Sequence, residues 1–338
     1  MRQQLSYVID WWQLAKELSP GRLINVLKLY GSFTFSRLTR RIIHRGAPWA
    51  VAIEPTTVCN LRCPECQSGK GNLTRNHGSM TIERFKAIMQ MLPKSTMYLT
   101  LYFQGEPMLH PNFYEMVRHA RQRRLYVSTS TNGHFLNDQQ ARQTVESGLS
   151  RIIISLDGVD ENTYSRYRVG GDFETVTKGI ENLVRWKSAL RVTTPLIVIQ
   201  FLVFRYNQDQ ISKMRTLVNK LKADVFVIKS AQHYDLTKEN PLIATRSQYS
   251  RYVKLSDGSF RPKNASNTFC WRSWSTCVIT WDGKILPCCY DKDAQHSYGT
   301  LKEGNFNALW NSPTAWAFRK QLKMNRKSVD ICSNCNER

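Results

Sequence analysis

The chain has 338 residues, 41% of them hydrophobic, with 48 Lys and Arg against 26 Asp and Glu for a formal charge of +22. That length buries one large core, or one core with a small satellite, so two units are expected. The charge suits nucleic acid, an anionic lipid surface or an acidic partner, without choosing among them. Nine Cys with no secretory signal pattern at the N-terminus argue against a disulfide framework and for metal ligation. The longest apolar run, over 195–204, is about half of the ~20 residues a membrane-spanning helix needs. It reads as a buried strand.

In chain order, residues 1–48 read as two basic amphipathic helices. Trp11 and Trp12 stand together, Ser19-Pro20 is a helix start, and Leu23, Val26, Leu27 and Tyr30 recur at helical spacing. Eight Lys and Arg stand there against two acids, interleaved with aromatic residues. Two readings follow: an interfacial membrane helix, or helices packed on the main domain. Nucleic-acid binding is the weaker reading, because no recognition module accompanies the charge.

From 49 to 230, β-rich runs alternate with helical stretches. The strands fall at 49–54, 97–103, 125–131, 151–156, 196–204 and 224–229, which predicts an α/β fold with a parallel sheet closed or partly closed into a barrel. Residues 231–269 lose the period and read as a polar linker. From 270 to 338 a compact segment carries six of the nine Cys.

Cys59, Cys63 and Cys66 follow the first strand in Cys-Asn-Leu-Arg-Cys-Pro-Glu-Cys. Thiolates favour iron-sulfur clusters or zinc. Three of them on a four-iron cluster leave one iron open to a substrate, whereas a structural zinc site closes with four ligands, for which His77 is the nearby candidate. Near the C-terminus Cys270, Cys288, Cys332 and Cys335 offer four thiolates around a hairpin turning at Trp281-Asp282-Gly283-Lys284. Spacing alone fits zinc there slightly better than a second cluster. Cys277 is an alternative to Cys270, and Cys289 reads as a buried small hydrophobe.

Cys-x3-Cys-x2-Cys after strand one of a strand and helix repeat resembles the signature of the radical S-adenosylmethionine (SAM) superfamily. That resemblance implies a partial (β/α)6 barrel whose [4Fe-4S] cluster chelates SAM and whose reductive cleavage releases a 5′-deoxyadenosyl radical. The residue before the third Cys is commonly aromatic in that family and is Glu65 here. Gly105, Glu106 and Pro107 look like the motif holding the SAM amino group, with Glu106 as acceptor and the glycine admitting close backbone approach.

Further site residues lie at later strand ends, where such barrels bind ligands. Ser128, Ser130 and Asn132 are candidates for the ribose, and Ser155 and Asp157 for the SAM pocket. Arg168 is the candidate for the SAM carboxylate. The plain readings are strand-end caps for Ser128 and Ser155 and a surface ion pair for Arg168. Gln200 and Leu202 are adenine-pocket candidates by position, or core.

The C-terminal segment, with Tyr298-Gly299-Thr300-Leu301, Ala308-Leu309-Trp310-Asn311 and a final Cys-x2-Cys, resembles the SPASM extension in its shorter twitch form. The resemblance implies an auxiliary [4Fe-4S] cluster on Cys270, Cys288, Cys332 and Cys335. It also implies a reductant such as flavodoxin or ferredoxin and a small-molecule, lipid-linked or peptide substrate. Cysteine usage and the missing signal pattern imply a cytoplasmic enzyme, and the basic aromatic N-terminus offers an anionic membrane surface as a further partner. The reading of a different class is a basic regulatory protein with zinc at both Cys groups.

Overall fold

The computed structural model describes residues 2–39, 41–237, 240–263, 269–302 and 305–335. The chain divides into two compact units. One comprises residues 14–58, 73–127 and 264–338, and the other residues 1–13, 59–72 and 128–263.

Taking the strands in chain order, β1 (Ala50–Ile53) and β2 (Tyr98–Leu101) pair in parallel, Ala50 opposite Tyr98. Their β-branched and leucyl residues Val51, Ile53, Leu99 and Leu101 alternate with smaller or polar ones and are buried, as a half-covered strand requires. The strand β3 (Tyr126–Thr131) pairs in parallel with β4 (Arg151–Ser155), β4 with β5 (Leu196–Val203), and β5 with β6 (Val225–Ser230). Between them run the helices Asp138–Glu146, Phe173–Ala189 and Ile211–Lys220. All six strands read from the sequence are present, and the fold is α/β with a parallel sheet of the expected type. In neither unit do the strands close on themselves into a barrel.

Two features went unread. Within 231–269, β7 (Tyr252–Lys254) and β8 (Phe260–Pro262) form a short antiparallel hairpin. The C-terminal hairpin is as expected, β9 (Thr276–Ile279) antiparallel to β10 (Ile285–Leu286) with Gly283 at φ +94° in its turn. But β9 also pairs in parallel with β1, Ala50 opposite Thr276. Glu54, just past β1, is fully buried and holds Arg75 by two hydrogen bonds of 2.8 and 2.5 Å while accepting from the Trp281 amide.

The N-terminal segment forms α1 (Arg2–Ala15) and α2 (Pro20–Leu38). Ser19 caps α2 by accepting from the Arg22 amide, with Pro20 at the first turn. In its own unit α1 is tied by an Asp10–Arg151 ion pair and by Gln3 donating to the Phe226 carbonyl. No helix among the described residues is long and apolar enough to cross a membrane.

Candidate active site and auxiliary cysteine cluster

Cys63 is buried and Cys59 and Cys66 half-buried, on a loop packed against Leu61, Tyr167, Phe204 and Ala231. The loop is pinned by backbone and side chain together. Arg62 donates its amide to the Val169 carbonyl, and Asn132, at the end of β3, donates Nδ2 to Asn60 Oδ1 at 2.8 Å. Asn132 Oδ1 in turn accepts from the His134 amide. Two sulfurs have N–H donors nearby, the Leu61 amide 3.4 Å from Cys59 Sγ and Arg168 Nη1 3.8 Å from Cys63 Sγ.

Arg168 and Asp157 form a buried ion pair, Nε to Oδ2 at 2.6 Å, their side chains 12% and 0% exposed. Asp157 also accepts from the Leu202 amide at 2.6 Å, and its backbone carbonyl accepts from Asn207, which is itself fully buried. Burial works against the Arg168 charge, but the Asp157 carboxylate and Cys63 outweigh it and hold the guanidinium protonated. Burial pushes the Cys63 thiol up, with Arg168 opposing. The ion pair that stood as the plain alternative for Arg168 is thus present, but in the interior rather than on the surface.

Glu65 faces the segment after β6: its Oε1 lies 3.4 Å from His233 Nδ1 and accepts from Asn240 at 3.2 Å. Burial raises its pKa, but those hydrogen bonds prevail and hold it below the ordinary carboxylate value. Ser155 is buried at the end of β4, whereas Ser128 is buried within β3 rather than capping its end, and Ser130 is half-buried. Gln200 and Leu202 are half-buried on β5.

In the other unit, Gly105 sits at φ +71°, and a Cβ there would stand 2.5 Å from the Thr56 carbonyl oxygen. Only glycine fits this approach. The Glu106 amide donates to the Val58 carbonyl at 2.7 Å, and Glu106 Oε1 accepts from the Met108 amide, capping the short helix Pro107–Leu109. The motif is thus fixed to the three residues that precede Cys59 in sequence.

The C-terminal cysteines lie in this same unit. Cys270 immediately precedes the helix Trp271–Ser275, Cys288 follows β10, and Cys332 and Cys335 close the described chain. Burial raises the Cys288 thiol well above its ordinary value, and Cys289, Cys270 and Cys332 add to that, so these side chains sense one another. Arg326, 2% exposed, donates Nη2 to Cys335 Sγ at 3.3 Å; burial lowers its pKa, and Cys270, Cys335 and Cys332 more than restore it. Cys277 is elsewhere, on β9 opposite Val51, where burial raises its thiol and the opposing charge is Arg319. Cys289 is exposed rather than the buried hydrophobe expected.

In the same unit Arg319 is fully buried among Trp310, Tyr298 and Trp274, with ring centroids at 4.4, 5.7 and 5.9 Å, and donates to the Trp310 carbonyl. Gly299 lets the chain pass the Leu309 side chain, which a Cβ would meet at 2.6 Å.

Comparison with known proteins bears on both groups of cysteines. Residues 53–200 match the radical SAM superfamily, and residues 270–336 match an iron-sulfur cluster-binding domain, SPASM. The chain belongs to the radical SAM superfamily. It is similar to the tungsten-containing aldehyde ferredoxin oxidoreductase cofactor-modifying protein of Pyrococcus furiosus, 23% identical over 85% of this chain and 86% of that one. It is also similar to the mycofactocin maturase MftC of Mycobacterium ulcerans, 25% identical over 86% and 80%. Among solved structures, BtrN in complex with AdoMet and 2-DOIA shares the fold at a TM-score of 0.54 and 19% identity, over 87% of this chain and 95% of that one.

Radical SAM enzymes use SAM and a [4Fe-4S] cluster, and the SPASM domain binds auxiliary iron-sulfur clusters. The residues present fit such groups: soft thiolates in a set of three and a set of four, with N–H donors to Cys59, Cys63 and Cys335 sulfurs. Among the described residues no group of three or more His, Cys, Asp or Glu is arranged to hold a metal ion. A four-iron cluster takes each cysteine on a different iron, so its ligands stand apart rather than meeting at one point. Sequence reasoning missed Asn60, Asn207 and Arg326. Arg326 alone carried a signal, being a basic residue just ahead of the final Cys-x2-Cys.

Proposed function

We propose that this radical SAM enzyme binds its catalytic [4Fe-4S] cluster through Cys59, Cys63 and Cys66, and an auxiliary cluster through Cys270, Cys288, Cys332 and Cys335. When bound, the reduced cluster and SAM supply a 5′-deoxyadenosyl radical that abstracts hydrogen from the substrate. Gly105, Glu106 and Pro107 receive the SAM amino group, Glu106 as the anionic acceptor. Ser128, Ser130 and Asn132 serve the ribose, while Ser155 and Asp157 line the pocket. Arg168 carries its charge beside Cys63 and offers remaining guanidinium donors to the SAM carboxylate. The observation that carries this reading is the tie between the three-Cys loop and two later strand ends, through Asn60–Asn132 and through Arg168–Asp157 beside Cys63.

On the substrate side, a cavity of about 390 Å³ lies against β1, β2 and β9, walled by Trp49, Tyr98 and Trp271 with Arg272 and Cys289 at its edge. Trp271 and Arg272 follow Cys270, and Cys289 follows Cys288, so the cavity borders the auxiliary ligands. Its walls suit an apolar or planar group bearing an anionic substituent. The reaction is a dehydrogenation or cross-link, or a rearrangement, of a small-molecule, lipid-linked or peptide substrate; an auxiliary cluster, when bound, would supply an electron acceptor for the oxidative outcomes or an anchor for the substrate. Residues 1–48, 49–230, 231–269 and 270–338 act as helical segment, SAM-binding domain, linker and auxiliary-cluster domain. The electron donor is a flavodoxin or ferredoxin, and the compartment is a reducing, cytoplasmic one, a reading supported by nine cysteines spaced as ligands rather than as a disulfide framework.

Replacing Cys59, Cys63 and Cys66 together by Ala is expected to remove about half of the iron and abolish 5′-deoxyadenosine formation from SAM and dithionite. Continued 5′-deoxyadenosine formation by the triple variant would refute the assignment.

A further inference from the structure

The helix α2 is turned against its own polarity. The face packed within its unit carries Arg22, Asn25, Ser32 and Ser36 beside Leu29 and Phe33. Each of those polar groups is engaged. Arg22 donates to the Glu17 and Arg124 carbonyls, Asn25 exchanges two hydrogen bonds with Ala47, Ser32 accepts from Trp274 Nε1, and Ser36 accepts from the Ile43 amide. The opposite face is apolar and open, with Leu23 50%, Leu27 61%, Tyr30 63% and Leu38 80% exposed, and Ile24 and Phe35 exposed beside them.

At about 100° per residue, the exposed apolar side chains cover an arc of roughly 140° bounded by Tyr30 and Phe35. Arg37 lies about 20° beyond one margin and Lys28 about 20° beyond the other. Both are exposed. No acidic residue occurs between Glu17 and Glu54, and Arg41 and Arg45 add further exposed cations. At the C-terminal end Lys323 donates to the Ser36 and Arg41 carbonyls, and the next residue, Met324, is 76% exposed. In the other unit, α1 exposes Leu5, Val8, Trp11 and Trp12 on its own account.

We infer that α2 is a membrane-surface helix whose Leu23–Leu27–Leu38 face enters the interface of an anionic bilayer while Lys28 and Arg37 reach its headgroups. A wide apolar arc bordered by cations on both sides is the arrangement that lets aliphatic stems lie in the acyl boundary with the charges at phosphate level. A second copy of the same face would bring Lys28 and Arg37 toward their own kind with no carboxylate on the helix to receive them, which disfavours self-association. Anionic lipid supplies the missing charge.

The experiment is co-sedimentation of the full-length, cluster-loaded protein with phosphatidylcholine vesicles containing or lacking phosphatidylglycerol. The parent protein should pellet with the anionic vesicles, with binding falling at least severalfold between about 0.1 and 0.5 M sodium chloride. Leu23→Gln, Leu27→Gln and Leu38→Gln combined should lower binding about tenfold with SAM cleavage intact. Lys28→Ala with Arg37→Ala, which leaves the apolar face in place, should weaken binding to anionic vesicles alone. Absence of parent binding, equal binding to neutral vesicles, or undiminished binding by both variants would overturn the proposal. So would a dimer in analytical ultracentrifugation that the glutamine variant dissociates, which would make the face a contact between copies.

Discussion

The buried Arg168–Asp157 pair offers the sharpest test of how the site is held. Asp157→Asn removes the charge that keeps Arg168 protonated in the interior and leaves one amide oxygen for two donors, the Leu202 amide and Arg168 Nε. Breaking a buried pair from one side costs about 3–5 kcal/mol, because the remaining charge is stranded. Arg168→Gln strands the carboxylate instead, which can shed part of the cost by taking up a proton. At roughly 2–4 °C per kcal/mol for a domain of this size, Asp157→Asn should lower the melting temperature by about 6 °C or more in anaerobic circular dichroism. The double variant should be less destabilised than the sum of the singles by about 1–3 kcal/mol, since neither charge is then left alone. Singles that melt with the parent, or costs that simply add, would refute the picture of a coupled interior pair.

Two further outcomes follow from the C-terminal region. Cys332→Ala with Cys335→Ala should abolish the auxiliary cluster signal in electron paramagnetic resonance while 5′-deoxyadenosine formation persists; simultaneous loss of SAM cleavage in a protein that remains folded would count against separate clusters. His44, packed against Trp274 and Trp310 and donating Nε2 to the Trp274 carbonyl, is held neutral by burial and by Arg319, its pKa lowered to about 4. The unfolded chain therefore takes up this proton first, near 6.5, and up to about 3 kcal/mol of stability should drain away between pH 6.5 and 4. His44→Gln, which keeps a donor for Trp274, should flatten that part of the melting-temperature profile; an unchanged slope would exclude His44 as its source.

The legible parts of this protein are those written in local period or in thiolate spacing. Six strands showed as β-rich runs between helical stretches, and Cys59, Cys63 and Cys66 stood out as a candidate cluster loop because three soft ligands lie within eight residues. The illegible parts are pairings between distant residues. The strand β9 lies beside β1 although more than two hundred positions separate them, and Thr276 carries no mark that Ala50 is its neighbour. Asn60 and Asn207 are ordinary loop residues in sequence and Asn132 reads there only as a ribose candidate; only the folded chain shows that they tie the cysteine loop and Asp157 in place. Glu65 is a similar case: its partners, His233 and Asn240, come from a stretch that reads as featureless.

The helix α2 shows why periodicity alone cannot orient an amphipathic element. A moment in the sequence says that the two faces differ, and the usual inference buries the apolar one. Here the apolar stripe at Leu23, Leu27 and Tyr30 is the exposed one. What decides the orientation is whether the polar face finds partners inside. Arg22, Asn25, Ser32 and Ser36 each meet backbone or side-chain groups from 94, 47, 274, 43 and neighbouring positions, so burying them costs little. A lone buried arginine or asparagine would have cost several kcal/mol and turned the helix over. The open leucines then acquire a use only if something covers them, the role proposed above for an anionic bilayer.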